Sequence, residues 1–140
     1  MLERIKSERA PKAIGSYSQA TRIGNLIFTS GQLPINPETG QIDERASIKW
    51  QVKQSLNNVK AILEDNGSSM DAIVKATVYL DNIKDFSDFN EVYQEFFKKS
   101  YPARSAFEVA KLPMGALVEI EVIAEVERWK IILDYCMDIV

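Results

Sequence analysis

The spacing of apolar residues changes twice along the middle of the chain, and this alternation most restricts the possible folds. Over residues 48–63 apolar side chains recur every three or four positions, which is the spacing of one helical face. Over residues 73–80 they recur at every second position, as in a strand. Aromatic residues over 86–97 return to the helical spacing. The middle of the chain therefore predicts a helix, a strand and a second helix.

Strand signals lie on both sides of this middle part. The dipeptide Gly24-Asn25 separates residues 17–21 from residues 26–30 and is typical of a hairpin turn. Residues 104–110 and 118–125 are two further β-prone runs, divided by a turn-prone segment. The predicted element order is therefore β-β-α-β-α-β-β.

The two helices indicate where the core lies. Each amphipathic helix must bury its apolar face, so we expect an α+β fold in which a mixed β-sheet carries two helices on one face. The last predicted strand has apolar residues on both of its faces. Val118, Ile120 and Val122 lie on one face, and Ile123 lies on the other. We therefore expect another copy of the chain to cover the sheet face that has no helices.

The composition limits the possible chemistry. With 140 residues, 46% of them hydrophobic, the chain has the content of one compact domain. Histidine is absent, so the commonest general base and the commonest metal ligand are both missing. The formal net charge of -3 opposes attraction to a phosphate backbone. Nucleic acid is therefore not an expected partner.

Other signals concern the compartment in which the protein works. The N-terminal residues are charged where a secretory signal has an apolar run, and no segment reaches the roughly 20 apolar residues of a membrane span. The single cysteine, Cys136, cannot form an internal disulfide and fits a reducing compartment. We expect a cytoplasmic protein with no membrane partner, in which Cys136 is a buried or half-buried apolar residue.

Two segments carry side chains suited to catalysis. Arg104 stands at a predicted strand start, where its guanidinium can hold a small carboxylate through two parallel hydrogen bonds. Glu119 and Glu121 share one face of the last predicted strand, where a carboxyl group held in a cleft has a pKa suited to proton transfer. Spacing alone does not choose between the two glutamates. By itself it favours a surface ion pair between Arg104 and one of them.

Longer motifs surround these residues. They are Ala-Pro-Lys-Ala-Ile-Gly-Ser-Tyr at 10–17, Phe-Thr-Ser-Gly-Gln-Leu-Pro-Ile-Asn-Pro at 28–37 and Gln-Ser-Leu-Asn-Asn-Val-Lys-Ala at 54–61. Pro-Ala-Arg-Ser at 102–105 and Val-Glu-Ile-Glu at 118–121 form the most specific pair. With these motifs the chain resembles the reactive intermediate deaminase family, also called RidA or YjgF. The resemblance assigns residues 1–126 to a RidA-like deaminase domain and leaves residues 127–140 as an atypical apolar extension.

The resemblance implies both an assembly and an activity. The implied fold is a chorismate-mutase-like α+β fold assembled as a homotrimer, with ligand clefts between subunits. The implied activity is that of a hydrolase resembling 2-iminobutanoate/2-iminopropanoate deaminase, without a metal or cofactor. Such an enzyme converts reactive 2-enamine and 2-imine acids, for example 2-aminoacrylate, to 2-keto acids and ammonium. The expected ligand is therefore a small 2-imino or 2-keto acid.

The resemblance also assigns roles to single residues. Arg104 corresponds to the arginine that binds the substrate carboxylate, and Glu119 to the carboxylate that handles a water or a proton. Both are expected to be catalytic. The expected substrate-binding residues are the cleft-lining Tyr17, its neighbour Ser30, the backbone donor Gly31, and Asn90.

One departure and two alternatives accompany this interpretation. Many relatives carry cysteine two residues after the arginine, where this chain has Ala106, so a thiol-dependent modulation is not expected while the core reaction should remain. The first alternative is an RNA-directed endoribonuclease or translation inhibitor, since some relatives are described in that way. The second is a metabolite-binding regulatory trimer without important turnover.

Overall fold

A single sheet with two helices forms the part of the chain that the computed structural model describes, residues 1–127 and 136–137. The predicted mixed sheet with two helices is therefore confirmed. The strands and helices are β1 (Glu3–Ile5), β2 (Ala20–Ile23), β3 (Leu26–Thr29), α1 (Ile48–Asp65), β4 (Ile73–Leu80), α2 (Phe86–Gln94), β5 (Ala103–Glu108) and β6 (Val118–Glu125).

The strand order of the sheet is β1-β2-β3-β6-β4-β5. Strands β4 and β5 are parallel, and the other neighbouring pairs in the described residues are antiparallel. A parallel pair needs a crossover connection, and α2 lies within it. Strand β6 is thus central, while β5 lies at an edge of the sheet.

Helix α1 follows the predicted periodicity closely. It begins after Ser47, whose Oγ accepts a hydrogen bond from the backbone N–H of Trp50 at 3.2 Å. It ends just before Gly67, whose φ of 89° is a conformation that favours glycine. Its inner face is fully buried at Val52, Leu56, Val59 and Ile62.

Helix α2 is shorter than its aromatic pattern predicts. The pattern extends to residue 97, but the helix ends at Gln94. After that residue the backbone N–H groups of Glu95, Phe96 and Phe97 donate to carbonyl groups three residues earlier. These tighter turns keep the rings of Tyr93 and Phe97 in contact while the chain leaves the α-helix.

Strand boundaries differ from the prediction at three places. The sequence does not predict strand β1, because the segment 3–5 has only three residues and two of them are charged. Strand β2 begins at Ala20, so Tyr17 lies outside the hairpin arm in which the pattern places it. Strand β5 begins at Ala103 and ends at Glu108, two residues before the predicted end. The element order is therefore β-β-β-α-β-α-β-β, with one strand more than predicted.

The two faces of the sheet differ in what covers them. In β4 the side chains of Ala76, Val78 and Leu80 are fully buried on the face that carries the helices. The alternate residues are only partly buried and point to the opposite face, which we call the open face. The cross-strand pairing assigns to the open face Phe28, Thr77, Tyr79, Phe107, Glu119, Glu121 and Ile123.

The predicted extension, residues 127–140, lies outside the described residues except for Glu127, Cys136 and Met137. Cys136 is exposed, so the expectation that it is buried or half-buried is wrong. Short apolar tails carry no periodic signal that fixes burial. None of the helices in the described residues is long and apolar enough to cross a membrane.

Asn58 allows a test of how firmly the loop before α1 is held. Its buried side chain donates to the carbonyl oxygens of Leu33 and Ile35 at 3.1 and 2.9 Å. Asn58→Ala should lower the free energy of unfolding by about 2 kcal/mol, because two carbonyl groups lose their donor. In urea unfolding, the control Asn57→Ala on the exposed side of α1 should change it by less than about 0.5 kcal/mol. Equal losses in both variants would contradict this role.

Candidate functional site

Arg104 lies near the start of the edge strand β5 and points to the helix-covered face. Its Cα pairs with that of Ala76, a residue buried beneath the helices. The guanidinium is half-buried, and its Nη1 donates a hydrogen bond to Oδ1 of Asn90 at 2.8 Å. The structure thus places the predicted Arg104 and Asn90 in contact.

Three aromatic rings of α2 surround the guanidinium. The centroids of Phe86, Phe89 and Tyr93 lie 5.3, 5.6 and 4.9 Å from Cζ of Arg104. We call these three rings the aromatic cradle. A cation at such distances is attracted by the negative ring faces. Because rings cannot accept the in-plane N–H groups as a carboxylate does, the edge of the guanidinium stays available for a planar anion.

A cavity of about 340 Å³ opens beside this arginine. Its size lies at the lower end of the range for small-molecule sites, which begins at about 300 Å³. The cavity is lined by Asn90, Tyr93, Gln94, Tyr101, Pro102 and Arg104. A cation, two amides and two aromatic rings therefore converge on one concavity.

Glu119 lies on the open face and packs against Gly31. A methyl group at Gly31 would lie 2.7 Å from Cδ and 2.8 Å from Oε2 of Glu119, so with any side chain at this position the Glu119 carboxyl would have to shift. Burial raises the pKa of the Glu119 carboxyl, and the negative charge of Glu121 raises it further. A carboxyl group with a raised pKa is suited to taking up and returning a proton near neutrality.

The structure separates the roles of the two glutamates that the spacing could not separate. Glu121 accepts a hydrogen bond of 2.6 Å from the hydroxyl of Tyr79. That hydrogen bond, with burial, raises the pKa of Tyr79 to about 12, so the phenol stays protonated and keeps donating. The carboxylate of Glu119 has no hydrogen-bond partner within residues 1–127 and 136–137. Glu119 is therefore the carboxylate that remains available to a ligand.

Ser30, which precedes Gly31, connects it to the loop that carries Tyr17. The hydroxyl of Ser30 donates to the carbonyl oxygen of Ser18 at 2.6 Å, and its backbone N–H donates to that of Gln19 at 2.8 Å. These bonds fasten the loop that carries Tyr17 to the segment that carries Gly31. Tyr17 is 55% exposed and presents its ring to solvent. Ser30 thus has a structural role here in addition to its predicted position in the site.

The predicted residues form two groups on opposite faces of one chain. Arg104 and Asn90 lie on the helix-covered face, while Glu119 and Gly31 belong to the open-face group. Strand β4 also lies between β5 and β6. The spacing favoured an ion pair between Arg104 and a glutamate of the last strand. That expectation is therefore wrong.

The aromatic cradle was not predicted as part of a site. Its residues were interpreted only as the apolar face of the second helix, because rings at such spacing usually form core. The available signal was that Asn90 stands on the same helix, four residues after Phe86 and three before Tyr93, and therefore on the same side. Among the described residues, no three His, Cys, Asp or Glu side chains are grouped as metal ligands.

Comparison with known proteins gives this arrangement a family. The protein-family model described as endoribonuclease L-PSP matches residues 7–126 of this chain. A RutC family protein from Pyrococcus abyssi is 53% identical over 122 residues, which are 87% of this chain and 95% of that protein. A protein from Escherichia coli named 2-iminobutanoate/2-iminopropanoate deaminase is 46% identical over 127 residues, covering 89% of this chain and 98% of that protein. The chain belongs to the RidA/YjgF family.

A solved structure adds information on ligands of the RidA/YjgF family. The crystal structure of E. coli TdcF with bound serine has a TM-score of 0.84 and 44% sequence identity to this chain. The similarity covers 89% of this chain and 99% of TdcF. A RidA/YjgF protein of almost the same fold thus holds a small amino acid.

The pKa of Glu119 tests the electrostatics of the open face. Glu121→Gln should lower it part of the way to that of an ordinary glutamate, because the neighbouring charge disappears while the burial remains. Carbon-13 NMR titration of the side-chain carboxyl groups measures this shift. Glu125→Gln removes an exposed carboxylate from the same strand and should leave the pKa of Glu119 unchanged. Identical titration curves of Glu119 in wild type and Glu121→Gln would contradict the coupling.

Proposed function

We propose that this protein hydrolyses small 2-imino acids, formed directly or from their enamine tautomers, to 2-keto acids and ammonium. The observation that carries the proposal is the Arg104 guanidinium, which Asn90 and the aromatic cradle hold beside a cavity of about 340 Å³. The imine deaminase name of a 46% identical relative supports the same reaction. The proposed activity therefore rests on one geometric observation and one family relationship.

The first proposed step is capture of the substrate carboxylate. Asn90 occupies Nη1 of Arg104 with one hydrogen bond, and the other N–H groups can form a two-pronged contact with a carboxylate. Bound serine in TdcF is a ligand of the matching class, a small acid with nitrogen on the α-carbon. Capture fixes the orientation of the C=N bond relative to the groups around it.

The second proposed step is hydrolysis of the C=N bond. Enamines reach the imine by moving a proton to C3. A water then adds to the carbon of the protonated imine, and Glu119 accepts a proton from that water, so that a neutral carbinolamine forms. Glu119 returns this proton to the nitrogen of the carbinolamine. The C–N bond then breaks as the C=O bond forms, and the hydroxyl proton passes to the departing ammonia, which leaves as ammonium. The raised pKa of Glu119 suits both directions of transfer.

The third part of the proposal is a composite site in a homotrimer of the chorismate-mutase-like kind. Arg104 and Glu119 lie on opposite faces of one chain, so one small ligand meets both only if the two come from different subunits. The open face exposes 37% of Phe28 and 44% of Phe107, apolar surface that a neighbouring copy would bury. We therefore assign Arg104 and Asn90 of each site to one subunit, and Glu119, Gly31 and Tyr17 to its neighbour.

RNA cleavage is the alternative that the name of the family model raises. The chain has a formal net charge of -3 and no histidine, so it offers neither the phosphate attraction nor the usual acid–base pair of such a reaction. Salt-sensitive cleavage of RNA by nuclease-free protein, lost in Glu119→Ala, would favour this alternative over imine hydrolysis.

Replacement of Arg104 tests the carboxylate contact. Arg104→Ala should lower kcat/KM for 2-iminobutanoate by about a hundredfold, because a charge-assisted contact to the substrate is lost. The measurement is ammonia release from imine generated in situ by a threonine dehydratase. Arg45→Ala removes an exposed arginine elsewhere and should retain wild-type turnover. Wild-type turnover in Arg104→Ala would refute the proposed function.

Mixing two inactive variants tests the composite site. When Arg104→Ala and Glu119→Ala chains are refolded together, about one quarter of the sites in random trimers combine an intact Arg104 with an intact Glu119. Activity should therefore return to about a quarter of the wild-type value. Each variant refolded alone is the control and should stay inactive. A mixture that also stays inactive, while forming trimers, would place both residues of a site in one chain.

A further inference from the structure

The surroundings of Arg104 divide into one polar and three aromatic contacts. Within the described residues the Arg104 side chain donates a hydrogen bond to Asn90, and the aromatic cradle supplies the three ring contacts. One amide holds one nitrogen but leaves the guanidinium plane free to rotate about that contact. Rings packed around the group restrict this rotation, because a tilted guanidinium loses its approach to the ring faces.

Tyr93 shows that the ring, rather than the hydroxyl, is the useful part of this side chain. The residue is 3% exposed, and its hydroxyl oxygen is buried with no hydrogen-bond partner in the part of the chain that the structure describes. Burial raises the pKa of this phenol, and the charge of Arg104 opposes that shift only in part. The group facing the arginine is thus a neutral ring, which acts on the cation through its π face.

We infer that the aromatic cradle is a positioning device that fixes the plane of the Arg104 guanidinium so that its free edge faces the cavity. This inference rests on the proposed function, since it assumes that a carboxylate is bound there. Tyr93 also lines the cavity, but in this scheme no cradle residue forms a hydrogen bond to the substrate carboxylate. They act through Arg104, which they hold in the orientation that forms two parallel hydrogen bonds.

The alternative is that the three rings are only core packing that happens to lie near an arginine. The chain offers a matched control for that alternative. Phe97 continues the same row of rings, with its centroid 4.8 Å from that of Tyr93, but it is not stacked on the guanidinium. Loss of the Phe97 ring removes aromatic packing, whereas loss of the Tyr93 ring also removes a contact to the cation.

The test compares a carboxylate ligand with its neutral counterpart. Isothermal titration calorimetry gives the affinities of the full-length protein for 2-oxobutanoate and for 2-oxobutanamide, and their ratio reports the carboxylate contact alone. Tyr93→Leu should reduce this ratio by about tenfold, because the guanidinium is no longer held in one plane. Tyr93→Phe retains the ring and should keep the wild-type ratio, with a melting temperature equal to or above that of wild type.

Two further variants keep the test decisive if Tyr93→Leu fails to fold. Phe86→Leu removes a half-buried ring of the cradle and should reduce the ratio by about threefold. Phe97→Leu should keep the wild-type ratio even if it lowers the melting temperature. An unchanged ratio in folded Tyr93→Leu or Phe86→Leu would overturn the inference, as would an equal loss in Phe97→Leu. A wild-type protein that binds both ligands equally would instead overturn the carboxylate contact of the proposed function.

Discussion

The alternation of side chains across the sheet is the constraint on which the site depends. In neighbouring strands of one sheet, residues in register share a face. Arg104 is in register with Ala76 of β4, and Glu119 is in register with Tyr79 of the same strand. Ala76 and Tyr79 are three positions apart and therefore point to opposite faces. Arg104 and Glu119 of one chain therefore face opposite sides of the sheet, and for this reason the proposed site combines residues of two subunits.

Each half of the site is held by a different kind of force. The arginine half relies on the attraction between a cation and aromatic rings, supplemented by one amide. The glutamate half relies on close packing against Gly31 and on a partly dehydrated carboxyl group. The first arrangement keeps a charge fixed, and the second keeps a proton easy to exchange. In the proposed function, carboxylate binding and proton transfer therefore take place in two separate surroundings.

Most of the fold could be predicted from periodicity, and the failures have physical reasons. Helix α1 and strand β4 are long, and their apolar residues keep a regular spacing apart from an irregularity near the start of β4, so their type and extent are evident in the sequence. Strand β1 has three residues and depends on pairing with β2, which leaves no local pattern. The end of α2 depends on a change from four-residue to three-residue hydrogen bonding, which the aromatic spacing does not record.

The candidate site could be predicted only in part. The motifs around Arg104 and Glu119 point to these residues, and their family is confirmed. Their separation onto two faces depends on strand order, because β4 enters between β5 and β6 although it precedes both in the chain. The cradle was missed because a sequence shows that rings share a helix face but not which cation lies against them.

Residues at both ends of the connection from α2 to β5 line the cavity. Their position affects how ligand preference can change by substitution. Gln94 closes the helix, and Tyr101 stands just before the strand, yet both line the cavity while lying outside the buried core. Changes of side chain at the exposed Gln94 and Tyr101 would therefore reshape the walls around a ligand without disturbing the core beneath. Ligand preference can thus change through substitutions at the protein surface while the fold stays the same.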